Sequence, residues 1–356
     1  MSLIVADVGG TNARLAFQKN INSEISLIEN FLCSDFKSLE DIIKTYKQKH
    51  NIFNEHISIA VAGPCEDDYV ILSNNHIKFN KVELLKNLKL KSLLVINDFV
   101  AQSFVFKDLL LEEDEKKYKI LLKKLSLKQI KNGTSKKNSP LLVTGPGTGL
   151  GVCNLKKIDK YVIPIPGEGG NTYFSPSNSE QIEILKYLLK SQKYVSFEDL
   201  VSGRGIENLF NFYQHKNRSQ ISKIQASEIS DLADKNDRDA ISAINQMYKI
   251  LVMSVINNIF LNGSLGGVVI CGGISIKLQK FLNKDIFLDE FLKIDKYFDY
   301  LNDIPIYLCK NESNGLIGAK DCFHNTYFQN TYMIYNKWLI GGCMYQISDE
   351  VRRLTN

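Results

Sequence analysis

No CxxC pair and no zinc-ligand spacing occurs among the seven cysteines, at positions 33, 65, 153, 271, 309, 322 and 343. A structural zinc is therefore not expected, and reduced thiols in a cytoplasm are the simplest reading. The five histidines are equally scattered and suggest no metal cluster. No apolar run reaches membrane-spanning length, and the opening MSLIVADVGG lacks the basic start and long apolar stretch of a signal peptide, so no membrane partner is expected. A phosphate-binding GxxxxGK[ST] is missing as well. Each glycine turn is expected to lead into a strand, not a helix, which argues against an NAD-dependent oxidoreductase. No helix-turn-helix precedes residue 3, which argues against a DNA-binding regulator.

What is present is a chain of 356 residues, 44% hydrophobic, long enough for two globular domains. The net charge of +5 comes mostly from lysines between Lys107 and Lys137. Acidic residues precede them and only Tyr118 interleaves, so a solvated helix and loop is expected there, with no nucleic-acid partner. Glycine is unevenly placed: 18 of the 22 fall at 9–10, 145–151, 167–170, 203–205, 263–273 and 315–318. Bare backbone in six places suggests a ligand site assembled from turns far apart in sequence.

Between these clusters strands and helices alternate, which predicts an α/β architecture. LIVAD (3–7) and ARLAF (13–17) flank a tight turn and read as a hairpin. ISIAVAG (57–63), PLLVTG (140–145), GLGVCNL (149–155) and GGVVICGG (266–273) read as further strands. Ser38 is placed to cap a helix with Leu39, Ile42, Ile43 and Tyr46 on one face and Asp41 at its third position. Residues 180–190 and 240–260 have helical spacing. VADVGGTNARLAF and LLVTGPGTGLGVCNL share one plan, apolar strand, Gly/Thr turn, apolar strand, about 135 residues apart. That echo fits two topologically similar domains, although two ordinary hairpins would look the same.

Three stretches could carry chemistry. DVGGTN (7–12) exposes backbone N–H groups between two strands, with donors on Thr11 and Asn12, and can cradle phosphate oxygens. Asp7 at the strand end could hold magnesium, directly or through water. GPGTGLG (145–151) is a second candidate phosphate turn, centred on Thr148, and CGGI (271–274) leaves room for a flat base or ribose. In LLVINDFVAQSF (93–104) an apolar strand stops on Asn97 and Asp98 before a helix-like stretch. Asp98 there is either an N-cap of that helix or a functional carboxylate.

Together with PGEGG (166–170), VSFEDLVSGRGIENLF (195–210), GGVVICGGI (266–274) and NGLIGA (314–319), these motifs resemble the bacterial glucokinases, of the sugar kinase, Hsp70 and actin superfamily. They occur in the family's order across roughly residues 3 to 323. The resemblance implies two actin-like (ribonuclease H-like) α/β domains with a central cleft. It implies ATP with Mg²⁺ as cofactors, glucose as substrate, glucose 6-phosphate entering glycolysis as product, and a homodimer. The smaller domain would comprise 1–108 plus about 308–330 and the larger 109–307, with 331–356 as an extension.

The resemblance also assigns residues. Ala6, Asp7, Val8, Gly9, Gly10 and Thr11 match the first phosphate turn; Gly147, Thr148 and Gly149 match the second; Gly272 and Gly273 match the adenosine end. Asp98 matches the catalytic base. Asn97, Glu168 and Glu198 match sugar-hydroxyl ligands, and Asn74 matches another polar residue of the cleft. Ionised carboxylates are strong acceptors for sugar O–H donors. Where the relatives place a His after PGEGG, this chain has Asn171, and Tyr173 stands for their Asp. Asn171 keeps a hydroxyl contact with a shorter reach, which weakens the grip on glucose and leaves another hexose or an amino sugar open as substrate. The tail, which holds the only tryptophan, Trp338, is expected to pack on the surface or on a second subunit.

Overall fold

The computed structural model describes residues 1–53, 55–72, 75–217 and 224–336. The chain divides into two compact units, Met1–Val105 joined by the part from Ser313 onward, and Phe106–Glu312.

The first unit opens with β1 (Leu3–Val8), β2 (Asn12–Gln18) and β3 (Ile25–Leu32), an antiparallel meander in which Asp7 faces Arg14. Helix α1 (Leu39–Lys49) follows, started by Ser38, whose Oγ accepts the Asp41 N–H at 3.1 Å. Its buried face is Leu39, Ile42, Ile43 and Tyr46, as the spacing predicts. β4 (His56–Val61) returns parallel to β1. A small ribbon, β5 (Tyr69–Ile71) with β6 (Lys78–Asn80), and helix α2 (Lys81–Asn87) lead to β7 (Ser92–Asn97), parallel to β4, and then to helix α3 (Asp98–Phe104). β1, β4 and β7 read as near-continuous apolar runs because parallel strands inside a sheet are covered on both faces.

The second unit begins with helix α4 (Glu115–Lys124), which buries no residue, and β8 (Leu127–Lys131). β9 (Leu141–Pro146), β10 (Leu150–Ile158) and β11 (Tyr161–Gly167) form a second antiparallel meander. Helices α5 (Ser179–Leu188), α6 (Gly203–Asn217), α7 (Ala226–Asp234) and α8 (Arg238–Asn262) follow. β12 (Val268–Ile270) is parallel to β9 and leads into α9 (Gly273–Leu278). After α10 (Lys284–Leu292) and α11 (Phe298–Asn302), β13 (Ile306–Cys309) lies parallel to β12. The chain then re-enters the first unit as α12 (Asn314–Phe323), α13 (Thr326–Thr331) and β14 (Ile334–Tyr335), which is antiparallel to β7.

The two sheets run β14-β7-β4-β1-β2-β3 and β11-β10-β9-β12-β13-β8. Each is a three-stranded meander, two added parallel strands, and a sixth strand antiparallel at the far edge. The echo between the two Gly/Thr hairpins thus extends to whole sheets, beyond what a pair of ordinary hairpins would give.

Two expectations need correction. The lysine-rich stretch is a solvated helix in α4, but residues 127–131 form the edge strand β8 on β13. There Lys131 is buried, and its ammonium donates to the carbonyls of Asn302, Ile304 and Asn132. The rule that every glycine turn leads into a strand fails at Gly272–Gly273, which open α9. Among the described residues no helix is long and apolar enough to cross a membrane. Trp338 and Asn74 lie outside the described residues.

Candidate active site

The end of β7 shows which of Asn97 and Asp98 caps α3. Asn97, in extended conformation (φ −63°, ψ 141°), is the N-cap of α3: its Oδ1 accepts from the N–H of Phe99 at 2.9 Å and of Val100 at 3.2 Å. Its Nδ2 donates to the Gly63 carbonyl at 3.3 Å, tying the helix start to the loop after β4. The capping explanation of Asp98 is therefore corrected, since Asn97 does the capping and Asp98 is the first helical residue. For Asn97 the cap and the bond to Gly63 engage the amide oxygen and one amide hydrogen. Cys65 lies within reach of the Asp98 charge. Burial first, then Glu66 and Asp98, push its thiol up to about 11, with Lys81 opposing.

Asp7 stands near the end of β1, beside Arg14 on β2 and Ala60 on β4. Desolvation pushes its carboxyl up to about 6, and the Arg14 charge partly offsets this. The first turn of α12 lies against it: a Cβ added at Gly315 would fall 2.3 Å from Asp7 Oδ2. Further along α12, a Cβ at Gly318 would fall 1.7 Å from the Ala101 carbonyl of α3. NGLIGA thus needs both glycines because one helix touches the Asp7 carboxylate and the backbone of the Asp98 helix. Sequence reasoning quoted this motif without seeing that role; the spacing of two glycines on one helical face was its signal.

The first turn is locked from within. Gly9 N–H donates to Asn12 O, Cys33 N–H to Thr11 O, and Asn75 Nδ2 to Gly9 O, all within 3.1 Å. Ala6 and Val8 are fully buried inside β1 and offer no side-chain surface, whereas Asp7, Gly9 and Gly10 are half-buried and Thr11 is exposed.

In the second unit the remaining assigned residues come together. The Gly147 N–H donates to Gly149 O at 2.8 Å, and the Gly203 N–H at the start of α6 donates to Gly147 O at 2.9 Å. The Glu198 carboxylate accepts the Leu150 N–H at 2.9 Å, and its backbone N–H donates to Gly170 O at 2.8 Å. One residue therefore joins the end of the 145–151 turn to the PGEGG loop. Asn171 Nδ2 donates to Glu168 Oε2 at 3.2 Å, both side chains exposed. Gly272, at φ +93°, has its α-carbon so near Pro146 O that a Cβ would sit 2.5 Å away, so the 272–273 turn lies against the 145–151 turn.

Sequence reasoning missed Asp199 and Arg204. Asp199 Oδ2 accepts both the Ser196 N–H and its hydroxyl, while Arg204 binds Asp199 Oδ1 at 2.8 Å and faces Glu198 Oε1 at 3.9 Å. The signal was present as Ser196-x-x-Asp199, a local capping pattern. Of two further residues singled out in the sequence, Asn74 lies outside the described residues, and Tyr173 is exposed, its ring 5.7 Å from that of Tyr194.

One Gly-rich turn with Asp7 at its strand end, and a second held by Glu198 next to the loop of Glu168, are compatible with the sugar kinases, the class to which the matching proteins belong. The glucokinase family model matches residues 4–326. The glucokinase of Yersinia enterocolitica is 33% identical over 318 residues, covering 89% of this chain and 94% of that one. A glucokinase crystal structure from an Antarctic psychrotroph superposes with a TM-score of 0.74 at 29% identity, covering 91% of this chain and 99% of the other. A ROK-family glucokinase of Streptomyces griseus, in complex with glucose and AMPPNP, shares the fold with a TM-score of 0.61 at 15% identity, over 90% and 98%. The chain belongs to the glucokinase family and has its actin-like α/β fold.

Proposed function

We propose that this chain is a cytoplasmic ATP:D-glucose 6-phosphotransferase with Asp98 as general base. The observation that supports the reading is the placement of Asp98 at the carboxyl end of the parallel strand β7, as the first residue of α3 behind its cap Asn97. Asp98 accepts the proton of the sugar 6-hydroxyl as that oxygen bonds to the γ-phosphorus and the bond to the β,γ-bridging oxygen breaks, releasing ADP. Catalysis of this kind is mainly positioning and electrostatics.

Glu168 and Glu198 accept hydrogen bonds from sugar hydroxyls, and Asn171 orients Glu168 through the contact described above. Gly9, Gly10 and Thr11 in one unit, and Gly147, Thr148 and Gly149 in the other, take the phosphates, with Gly272 and Gly273 at the adenosine. Asp7 fits magnesium as it is commonly held, by one or two carboxylates with the remaining positions left to water and phosphate oxygens. When bound, the ion supplies positive charge to the phosphates. AMPPNP in a structural relative supports ATP as the donor.

Asn171 keeps a second reading in view, a kinase of another hexose or of an amino sugar. Glucose, mannose, fructose and glucosamine assayed with ATP and magnesium separate the two. Asp98→Asn is expected to leave glucose binding within about twofold and cut kcat by about 10²–10⁴-fold, the usual worth of general-base assistance. Near-normal turnover in that variant would remove Asp98 from the mechanism.

A further inference from the structure

Past residue 326, where the family match ends, the chain stays with the elements that carry Asp98. Phe104, the last residue of α3, and Phe328 of α13 are both fully buried and meet edge to face, with ring centroids 4.9 Å apart at 79°. The start of α13 is fixed by Asn325, whose Oδ1 accepts the Tyr327 N–H at 2.9 Å. Gln329 Nε2 donates to Phe323 O at 3.0 Å and ties α13 to α12, the helix whose Gly318 already touches the middle of α3. Beyond α13, Ile334 pairs with Leu93 and Tyr335 with Ser92 on β7, and the Asn336 N–H donates to Lys91 O at 2.9 Å. Between these anchors, Tyr332 lies 5.8 Å from Phe328, ring to ring, and within the electrostatic reach of Cys65 and Glu66, the loop that also feels Asp98.

The arrangement has a mechanical consequence. A helix of seven residues is too short to be stable on its own, so α3 takes its direction from what packs against it. Asn97 fixes its first turn, Gly318 its middle and Phe328 its far end. The strand that delivers it, β7, has its outer edge covered by β14. We propose that residues 326–336 are a brace for Asp98, in which Phe328 is a positioning residue that sets the axis of α3 through Phe104. The proposal rests on the reading of Asp98 as the base.

The test compares Phe328→Leu, and Phe328→Ala as a harsher variant, with Ile43→Val, a buried change on α1 of the same unit. Steady-state glucose phosphorylation, thermal unfolding and amide exchange along α3 are read for each full-length chain. Phe328→Leu is expected to lower kcat roughly tenfold with the glucose KM within about twofold, because even a 1 Å misplacement of a reacting group can cost about 10²-fold. Exchange at residues 99–104 should rise above that elsewhere in the unit. Ile43→Val should lower Tm and leave kcat unchanged. If Phe328→Leu keeps full kcat and α3 exchanges as in the parent, the brace is merely structural and the proposal falls. Should Phe328→Ala fail to fold, the leucine variant decides. If the parent chain phosphorylates no hexose, it is the reading of Asp98 that falls, and exchange along α3 still reports whether Phe328 holds that helix.

Discussion

Strand β1 of the first unit and β9 of the second occupy the same place, each antiparallel to the strand that follows it and parallel to a later one. Three residues before the second glycine of its turn, β1 has Asp7; at the same spacing before Gly147, β9 has Thr144. The Thr144 hydroxyl is buried and donates to Gly151 O at 2.9 Å, satisfied within its own hairpin. Asp7 instead has Arg14 across the hairpin and the start of α12 against it. One backbone plan therefore offers a carboxylate in one copy and a self-satisfied hydroxyl in the other, and a cation is expected only at the first. The carboxylates proposed to hold the sugar divide the opposite way. Glu168 and Glu198 belong to the connection between β11 and β12 of the second unit; the corresponding connection of the first unit, between β3 and β4, holds α1. Topology repeats, while chemistry is set by single residues at strand ends and by what is inserted between strands.

The largest expected effect breaks the comparison at its mechanical centre. A methyl group at residue 318 would meet the Ala101 carbonyl at 1.7 Å, and both partners are helix backbone that cannot rotate away. Gly318→Ala should cost about 3 kcal/mol, at the upper end of overpacking penalties. Urea unfolding should show this loss in the first unit's transition, and an unchanged midpoint would mean that α3 and α12 are not in such close contact. Next, Asp7→Thr gives the first hairpin the residue of the second. The magnesium concentration for half-maximal activity should rise at least about tenfold, since even outer-shell partners of a metal are worth 10–100-fold in affinity. A magnesium titration of ATP turnover that overlays the parent's would leave Asp7 without a metal role.

Much of this plan was legible in the sequence where a strand is buried on both faces or a helix has a strong apolar stripe. β1, β4, β7, β9 and α1 announce themselves in that way. Edges were not legible. β3 is mostly exposed and β8 buries only Ile130 and Lys131, so neither has the apolar run that marks an interior strand. β14 is two residues long and exists only through its pairing with β7. At the site, Asn97 and Asp98 are equally good capping residues by type. Only the backbone conformation of Asn97 shows which one caps, and that makes Asp98 the first residue of the helix and not its N-cap. The burial of Asp7 under α12 depends on residues some three hundred positions away and has no local signature. The glycines of NGLIGA carried it, but only as a motif.

A smaller effect sharpens the comparison in the second unit. Asn171 reaches Glu168 at 3.2 Å, so the two exposed side chains orient each other before any sugar arrives. Asn171→His restores the longer side chain of the relatives. The glucose KM is expected to fall several-fold, by about 1 kcal/mol, the net worth of one added hydrogen bond, with kcat little changed. A KM that stays the same or rises would mean that Asn171 serves a different sugar.

The smallest expected effect concerns acid. His56 and His324 both belong to the first unit. His56 sits at the start of β4 with Nδ1 2.8 Å from Ser92 Oγ, and His324 follows α12 with Nε2 2.7 Å from Gln18 Oε1. Burial is the main cause that holds both below the ordinary imidazole value of 6.5. The unfolded chain therefore takes up protons near pH 6.5 that the folded first unit takes up only at lower pH. By linkage, stability is fully present above pH 6.5 and is lost as pH falls through the lowered folded values. Asp7 works the other way over the same range, because its raised carboxyl takes up a proton in the folded unit near pH 6. The histidine part is therefore read as a difference: between pH 7.5 and 5.5 the urea midpoint of His324→Gln, which retains a donor for Gln18, should fall less or rise more than the parent's. Parallel pH dependences for parent and variant would show that His324 does not contribute to the acid sensitivity.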